Sequence, residues 1–309
     1  MAEISRRPLS LVGGFVRVGL AATLWGLWVL FLRPAALPGL SSGAIIAVVM
    51  ALSGLPMQWL HWRQRRAIGG SDPSVSARRP AEPSASAQAW AFMGLAGLLD
   101  AANLGLYFSA LARGPISVAV LSHYLAPTLA PLFAWLILRE RISRRTIPAA
   151  LVGLVGLALL LRPGAAGPAA IETALLGAGS AVFYAALYAV GKRLTRDFTG
   201  MEIQSYHACV TAIVLLALTP PLSLTVHALA LVVGGALLCA VLAGSLFYEG
   251  LARISASQAS VLTYLEPLTA TAVGAWLFGE RLGELGALGA ALVLAGGLFV
   301  VLEPPTAVE

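Results

Sequence analysis

The chain has 309 residues, of which 59% are hydrophobic and 11% charged, with a mean hydropathy of +0.85. A soluble domain carries roughly 25% charged residues, so this chain lacks the polar surface of a water-soluble globule. Its net charge of +6 does not point to nucleic acid, because the basic residues cluster in short segments between apolar stretches, as in the cytoplasmic loops of membrane proteins.

A helix needs about 20 apolar residues to cross the hydrocarbon core. Ten segments qualify: 11–32, 39–60, 89–112, 115–138, 146–162, 171–191, 202–219, 225–251, 256–278 and 283–302. Their length argues for helices rather than barrel strands, which run to about ten residues with alternating polarity. The fold expected is therefore an all-α integral membrane protein of ten transmembrane helices. The first segment follows Arg6 and Arg7 and is too long for a signal-peptide core, so it reads as a retained span. Between the second and third segments, 61–88 is rich in Ser, Pro, Ala and Arg and reads as a flexible cytoplasmic loop. With the N-terminus inside, fifteen Lys and Arg residues fall on the inner side and four on the outer, with Arg17 in the first span. That bias places both termini in the cytoplasm of a bacterial-type inner membrane.

The sequence also repeats itself. Residues 106–141 slid by 140 positions match 246–281 at 12 of 36 positions without a gap. The matches include Leu111-Ala112-Arg113 on Leu251-Ala252-Arg253, Tyr124-Leu125-x-Pro127 on Tyr264-Leu265-x-Pro267, and Glu140-Arg141 on Glu280-Arg281; further on, Gly156 meets Gly296. Two repeats of five helices follow, 11–162 and 171–302. Five is odd, so the second enters the membrane inverted, an arrangement in which secondary transporters enclose a site near the midplane.

The motifs YLAP…LRERI and YLEP…FGERL resemble those of the drug/metabolite transporter superfamily, and more narrowly its EamA-type ten-helix branch, over about 11–302. Leu265-Glu266-Pro267 and Gly279-Glu280-Arg281 carry the likeness; Arg139 departs from it where the second half has Gly279. The resemblance implies a secondary transporter that exports a small metabolite such as an amino acid. Cationic drugs and other amphipathic solutes stand as the alternative cargo.

Polar groups inside a bilayer are costly, so each is a functional candidate with a structural alternative. Asp100, Asn103 and Tyr107 share one face of the third span. They read either as a cavity wall, with Asp100 meeting an ammonium or a proton, or as an interhelical tie. Glu266 precedes Pro267, which frees a backbone carbonyl one turn earlier; it reads as a coupling carboxylate or a helix-end bond, and its repeat mate is Ala126. His123 could relay protons or be a satisfied hydrogen-bonding residue. Tyr124 and Tyr264, as repeat mates, read as symmetric cavity residues. Trp25 and Trp28 in the first span and Tyr184 and Tyr188 in the sixth are mid-span aromatic pairs and candidate cavity lining. Gln204, His207 and Thr211 share a face of the seventh span. Glu249 and Arg253 are spaced for a local ion pair, and Arg17 reads as snorkelling to the interface. Ala287, Ala291 and Ala295 read as a close-packing stripe, Glu140 and Glu280 as helix-end residues, and Cys209 and Cys239 as packing residues.

There is no HExxH, no metal-spaced Cys/His cluster and no Walker loop, so the reading requires no cofactor and leaves a membrane-embedded enzyme or a non-transporting scaffold as weaker alternatives. The partners expected are a small-molecule substrate, the lipid bilayer and protons as coupling ion, with the chain a monomer or weak homo-oligomer.

Overall fold

The computed structural model describes residues 11–28, 30–31, 42–69, 85–161, 168–218, 225–278 and 283–302. Ten helical elements follow the ten hydropathic segments, and the described residues contain no strand. They are α1 (Leu11–Gly26), α2 (Ser42–Gly69), α3 (Ala87–Arg113), α4 (Ile116–Leu138), α5 (Thr146–Leu161), α6 (Pro168–Leu194), α7 (Gly200–Ala217), α8 (Val226–Leu251), α9 (256–278) and α10 (Glu284–Val301). Among the described residues α3, α4, α6, α8 and α10 are each long and apolar enough to cross a membrane, and shorter apolar helices lie at Leu11–Gly26, Gly43–Leu55 and Thr146–Leu161. Large apolar side chains such as Leu175, Ile213 and Val226 point outward, while Asp100, Asn103, Gln204 and His207 are buried. That inside-out distribution suits hydrocarbon as the surrounding solvent.

The expected loop at 61–88 is partly helix. α2 continues to Gly69 because Arg63, Gln64, Arg65, Arg66 and Ala67 all favour helix and the first breaking pair is Gly69-Gly70. At the other end Ser86 accepts from the Ala89 N–H at 3.1 Å and starts α3. Residues 70–84 of that loop lie outside the described ones.

The most extensive packing joins α5 to α10, α3 and α4 to α6, α2 to α7 and α1 to α8. The α5–α10 seam is built on glycine. A Cβ on Gly156 would lie 2.7 Å from the Gly289 carbonyl oxygen, and one on Gly289 would lie 2.5 Å from the Gly156 oxygen. Gly286, Gly289, Val293, Gly296 and Val300 form the buried face of α10. The stripe expected at Ala287, Ala291 and Ala295 faces outward instead, because glycine permits a closer backbone approach than alanine.

Prolines shape α4 and α9. Pro127 and Pro267 cannot donate to the carbonyl four residues back, and each helix breaks there, at Tyr124–Leu125 and at Thr263–Tyr264. Both α4 and α8 also contain π-helical turns, Ala134–Leu138 and Ala236–Leu242. Arg139, just past the first of these, has φ 58°, the left-handed conformation that glycine adopts most easily. This is the position where the second half carries Gly279.

Two ion-pair expectations change. Glu249 pairs with Arg17, Nε to Oε2 at 3.3 Å, tying α8 to α1. Arg253 donates to the Glu249 backbone carbonyl rather than forming the expected local side-chain pair. Arg17 also donates to the Gly13 carbonyl at 3.0 Å, so its guanidinium joins two helices. Glu140 does lie past a helix end, and its Oε2 accepts from the Ala256 N–H at the start of α9, at 3.1 Å. Glu280 lies outside the described residues.

Two outcomes test this packing. Gly156→Val and Gly289→Val are each expected to lower thermal stability by about 1–3 kcal/mol through overpacking, whereas Gly94→Ala, with nothing within 4 Å of its Cβ position, is expected to leave the melting temperature unchanged. Burial raises the Glu140 pKa above the usual carboxylate value, opposed by Lys192, the Ala256 N–H and Arg196. A raised folded pKa means the unfolded chain loses that proton first, so stability is greatest at low pH and declines as pH rises through the folded value. Melting temperature plotted against pH is expected to fall more steeply through that range for the wild type than for Glu140→Gln; parallel curves would contradict it.

Candidate transport cavity

A cavity of about 150 Å³ opens between eight of the ten helices, all except α5 and α10. A water needs about 10–15 Å³ of such space, so the cavity has room for a small solute or a cluster of waters. Its walls are mostly aromatic: Trp25 and Trp28 from the α1 segment, Tyr107 and Phe108 from α3, Tyr184 and Tyr188 from α6, Phe247 and Tyr248 from α8. Asp100, Asn103, His123, Gln204, His207 and Glu266 supply the polar groups, and among the described residues no Lys or Arg lines it.

Nine of the eleven expected site residues line this one cavity. Tyr124 and Tyr264 do not; they stack behind its wall, ring centroids 5.9 Å apart. The helix breaks put them there, between the kinked middles of α4 and α9. The Tyr264 hydroxyl donates to the Tyr124 carbonyl at 3.2 Å or the Ala150 carbonyl at 3.1 Å. The buried Tyr124 hydroxyl instead has the Glu266 carboxyl within its reach.

The other break residues reach α6. His123 Nδ1 lies 2.7 Å from Ser180 Oγ, and the Tyr188 hydroxyl lies 2.9 Å from Thr263 Oγ1. His123 is also sandwiched between aromatic rings, 4.2 Å from Tyr107 and 5.0 Å from Tyr184, both stacked.

A directional chain of hydrogen bonds runs through this wall. Ser180 Oγ donates its single hydrogen to Asn103 Oδ1 at 2.9 Å. The His123 contact must then be donated by the ring, which fixes the His123 hydrogen on Nδ1. Asn103 Nδ2 donates in turn to Asp100 Oδ1 at 3.3 Å. Every donor from α4 through α6 to α3 therefore points toward Asp100, an arrangement that polarises the bonds cooperatively toward the acid. From α7, His207 Nε2 approaches Asp100 Oδ2 at 3.4 Å, and Thr211 Oγ1 lies 3.3 Å from the same oxygen. The polar face read on the seventh span thus belongs to this site. Ser180 has no sequence signal beyond being a polar residue one turn before Tyr184. Cys239, expected as packing, lines the cavity from the π-helical turn of α8, where such turns often mark functional positions.

Ser180→Ala would strand the His123 N–H and the Asn103 oxygen in a buried wall. An unsatisfied buried polar group costs about 1–3 kcal/mol, so the variant is expected to melt earlier by that equivalent while Ser109→Ala, at the far end of α3, does not.

The sequence and fold agree with known proteins. A model of the EamA-like transporter family matches twice, over residues 14–162 and 172–302. The chain is 28% identical over 247 residues to the uncharacterized transporter YwfM of Bacillus subtilis, covering 78% of this chain and 83% of that protein. It is 28% identical over 201 residues to an uncharacterized transporter of Archaeoglobus fulgidus, covering 64% and 71%. One solved crystal structure shares the fold with a TM-score of 0.73 at 22% identity, covering 93% of this chain and 96% of the other. With family matches across both halves, this multi-pass membrane protein belongs to the EamA-like transporter family.

Proposed function

We propose that the protein is a secondary transporter that exports a small amphipathic metabolite, such as an amino acid, by alternating access. The observation that carries this is a cavity lined from eight helices, into which the α1 segment, α3, α6 and α8 direct aromatic rings and α3 and α9 two carboxyls, Asp100 and Glu266. Intramembrane acids are expensive, and a scaffold has little use for two of them around an open space. Aromatic walls suit an amphipathic solute, while Asn103, Gln204 and the tyrosine hydroxyls offer hydrogen bonds to its polar end.

The two inverted repeats, 11–162 and 171–302, supply the moving parts in this reading. Packing supports them. Exchanging each helix for its counterpart five helices along turns the α3–α6 contact into α8–α1, and α4–α6 into α9–α1; α2–α7, α4–α9 and α5–α10 map onto themselves. All of these pairs are in contact, as a two-fold relation requires. In the same reading both termini are cytoplasmic, the membrane is a bacterial-type inner membrane, and the chain works as a monomer or weak homo-oligomer. Proton coupling fits the buried acids.

A second reading of the cargo rests on a lining that, among the described residues, carries two acids and no Lys or Arg. A cationic amphipathic solute would need no counter-charge beyond the acids, with the rings adding cation–π attraction of about 0.5–2 kcal/mol.

Purified protein in liposomes is expected to move at least one member of a labelled panel of amino acids and organic cations without altering it. Tyr184→Ala and Trp25→Ala are expected to reduce that flux several-fold. If correctly folded protein moves nothing on the panel, the transport reading fails. Flux restricted to cations would select the second cargo.

A further inference from the structure

The Asp100–His207 contact carries a chemical consequence of its own. His207 Nδ1 lies 2.7 Å from the Ile203 carbonyl oxygen. A carbonyl only accepts, so Nδ1 bears a hydrogen. Nε2 of the same ring lies 3.4 Å from Asp100 Oδ2. In a neutral ring with its hydrogen on Nδ1, Nε2 presents a lone pair. An ionised carboxylate presents lone pairs as well. Both side chains are buried, 5% and 8% exposed, and 3.4 Å leaves no room for a water between them, so two facing lone pairs at that separation repel each other. The contact therefore holds a proton, as imidazolium with carboxylate or as imidazole with carboxylic acid.

The neighbours do not remove that need. Thr211 has one hydrogen for Asp100 Oδ2, the Gly97 carbonyl and the His207 carbonyl, so the gap to Nε2 stays unbridged. The chain through His123, Ser180 and Asn103 ends on the other carboxyl oxygen, Oδ1, and favours the ionised acid with an imidazolium beside it. Of the titratable groups around the pair, Tyr248 of α8 meets the His207 ring edge-on at 5.6 Å. Tyr184 and Tyr188 of α6, Tyr107 of α3, His123 of α4, Cys239 of α8 and Glu266 of α9 share the cavity wall. Among the described residues, the α1 and α2 segments bring Trp25, Trp28, Ile46 and Met50. None of these is a permanent cation. Among these groups the shared proton is thus the positive charge that balances Asp100.

An ammonium entering the cavity would seek the same carboxylate. We propose that Asp100 and His207 together hold one exchangeable proton, and that the cationic group of the transported solute displaces it. The exchange balances: imidazolium–carboxylate plus R–NH3+ gives neutral imidazole, carboxylate–ammonium and one H+ released to the aqueous side the cavity faces. The carrier is then a proton/ammonium exchanger, with His207 as the group that delivers and removes the proton. This rests on the transport reading above.

The test uses the full-length protein in detergent. Without any ligand, 15N-histidine NMR at neutral pH, with the His207 signal identified by its loss in His207→Gln, is expected to show Nε2 either protonated or hydrogen-bonded to a carboxylic acid. Asp100→Asn is expected to move that signal toward a free imidazole; it also serves for assignment if His207→Gln does not fold. A bare Nε2 beside a carboxylate shown ionised by infrared spectroscopy would overturn the shared proton.

In weakly buffered solution with a pH-indicator dye, titration with phenylethylammonium and a panel of amino acids is expected to release one proton per bound ligand. Release should be lost in Asp100→Asn. Binding without release, or no binding by any ammonium on the panel, would overturn the exchange. Failure of the transport reading is separately visible, because wild-type liposomes would then pass no solute while the NMR signature of the pair remained.

Discussion

Hydrocarbon offers no hydrogen bonds, so every polar group inside this bundle must find its partner in the protein or line a wet cavity. The interior of the chain is organised by that constraint. Asp100, Asn103, Ser180, His123, His207 and Thr211 come from four different helices, yet each is buried and each is bonded to another of the set or to a backbone carbonyl. The set does more than fasten helices. It converges on one carboxyl at a cavity, so the same bonds that satisfy the bilayer's demand also fix the direction in which charge is stabilised. A tie between two helices would need one acceptor and one donor. Here Asn103 of α3 and the α7 side chains His207 and Thr211 meet the acid directly, and α4 and α6 feed it through Asn103, which is more than a tie requires.

The backbone solves a matching problem. Helices can approach closely only where side chains are absent, and α5–α10 does so at Gly156 and Gly289, each against the carbonyl of the other. Helices can expose polar backbone in mid-membrane only where they break, and Pro127 and Pro267 break α4 and α9 beside the cavity. Those breaks set the stage for the polar chain, because the residues just before them, His123 and Thr263, are the ones that bond to Ser180 and Tyr188 of α6. α6 is thereby pinned from both halves, by hydroxyls and a ring rather than by apolar packing alone.

Much of this was legible in the sequence. The ten helices follow from runs of apolar residues, and the stripe Asp100, Asn103, Tyr107 follows from helical spacing; all three face the cavity as spacing requires. What was hidden is what depends on distance between segments. Glu249 looked paired with Arg253 because four residues separate them, but α1 packs against α8 and brings Arg17 closer. Ala287, Ala291 and Ala295 have the right period for a packing stripe, but Gly286, Gly289 and Gly296 on the neighbouring face allow a closer approach. Tyr124 and Tyr264 align across the repeat, but the proline breaks turn them into the α4–α9 interface. Ser180 carries no local pattern at all; only the approach of α3 and α4 to α6 gives its hydroxyl a task.

The frame and its contents obey different rules. Positions that carry the frame are matched across the 140-residue offset: Tyr124 with Tyr264, Pro127 with Pro267, Gly156 with Gly296. Positions that carry the cavity's chemistry are not: Asp100 faces Ala240, Asn103 faces Ala243, His123 faces Thr263, and Glu266 faces Ala126. A pair of acids at matched positions would place like charges symmetrically about one cavity and raise the cost of ionising both. Drawing one acid from α3 and the other from α9 gives each its own surroundings. Asp100 acquires a histidine and a chain of donors, whereas Glu266 sits among aromatic rings at a proline break. The same asymmetry appears in the frame itself, where the Tyr264 hydroxyl is bonded across to backbone carbonyls of α4 and α5 while that of Tyr124 faces the Glu266 carboxyl. The matched tyrosines are thus divided by an unmatched acid, one tying helices together and the other turned toward Glu266.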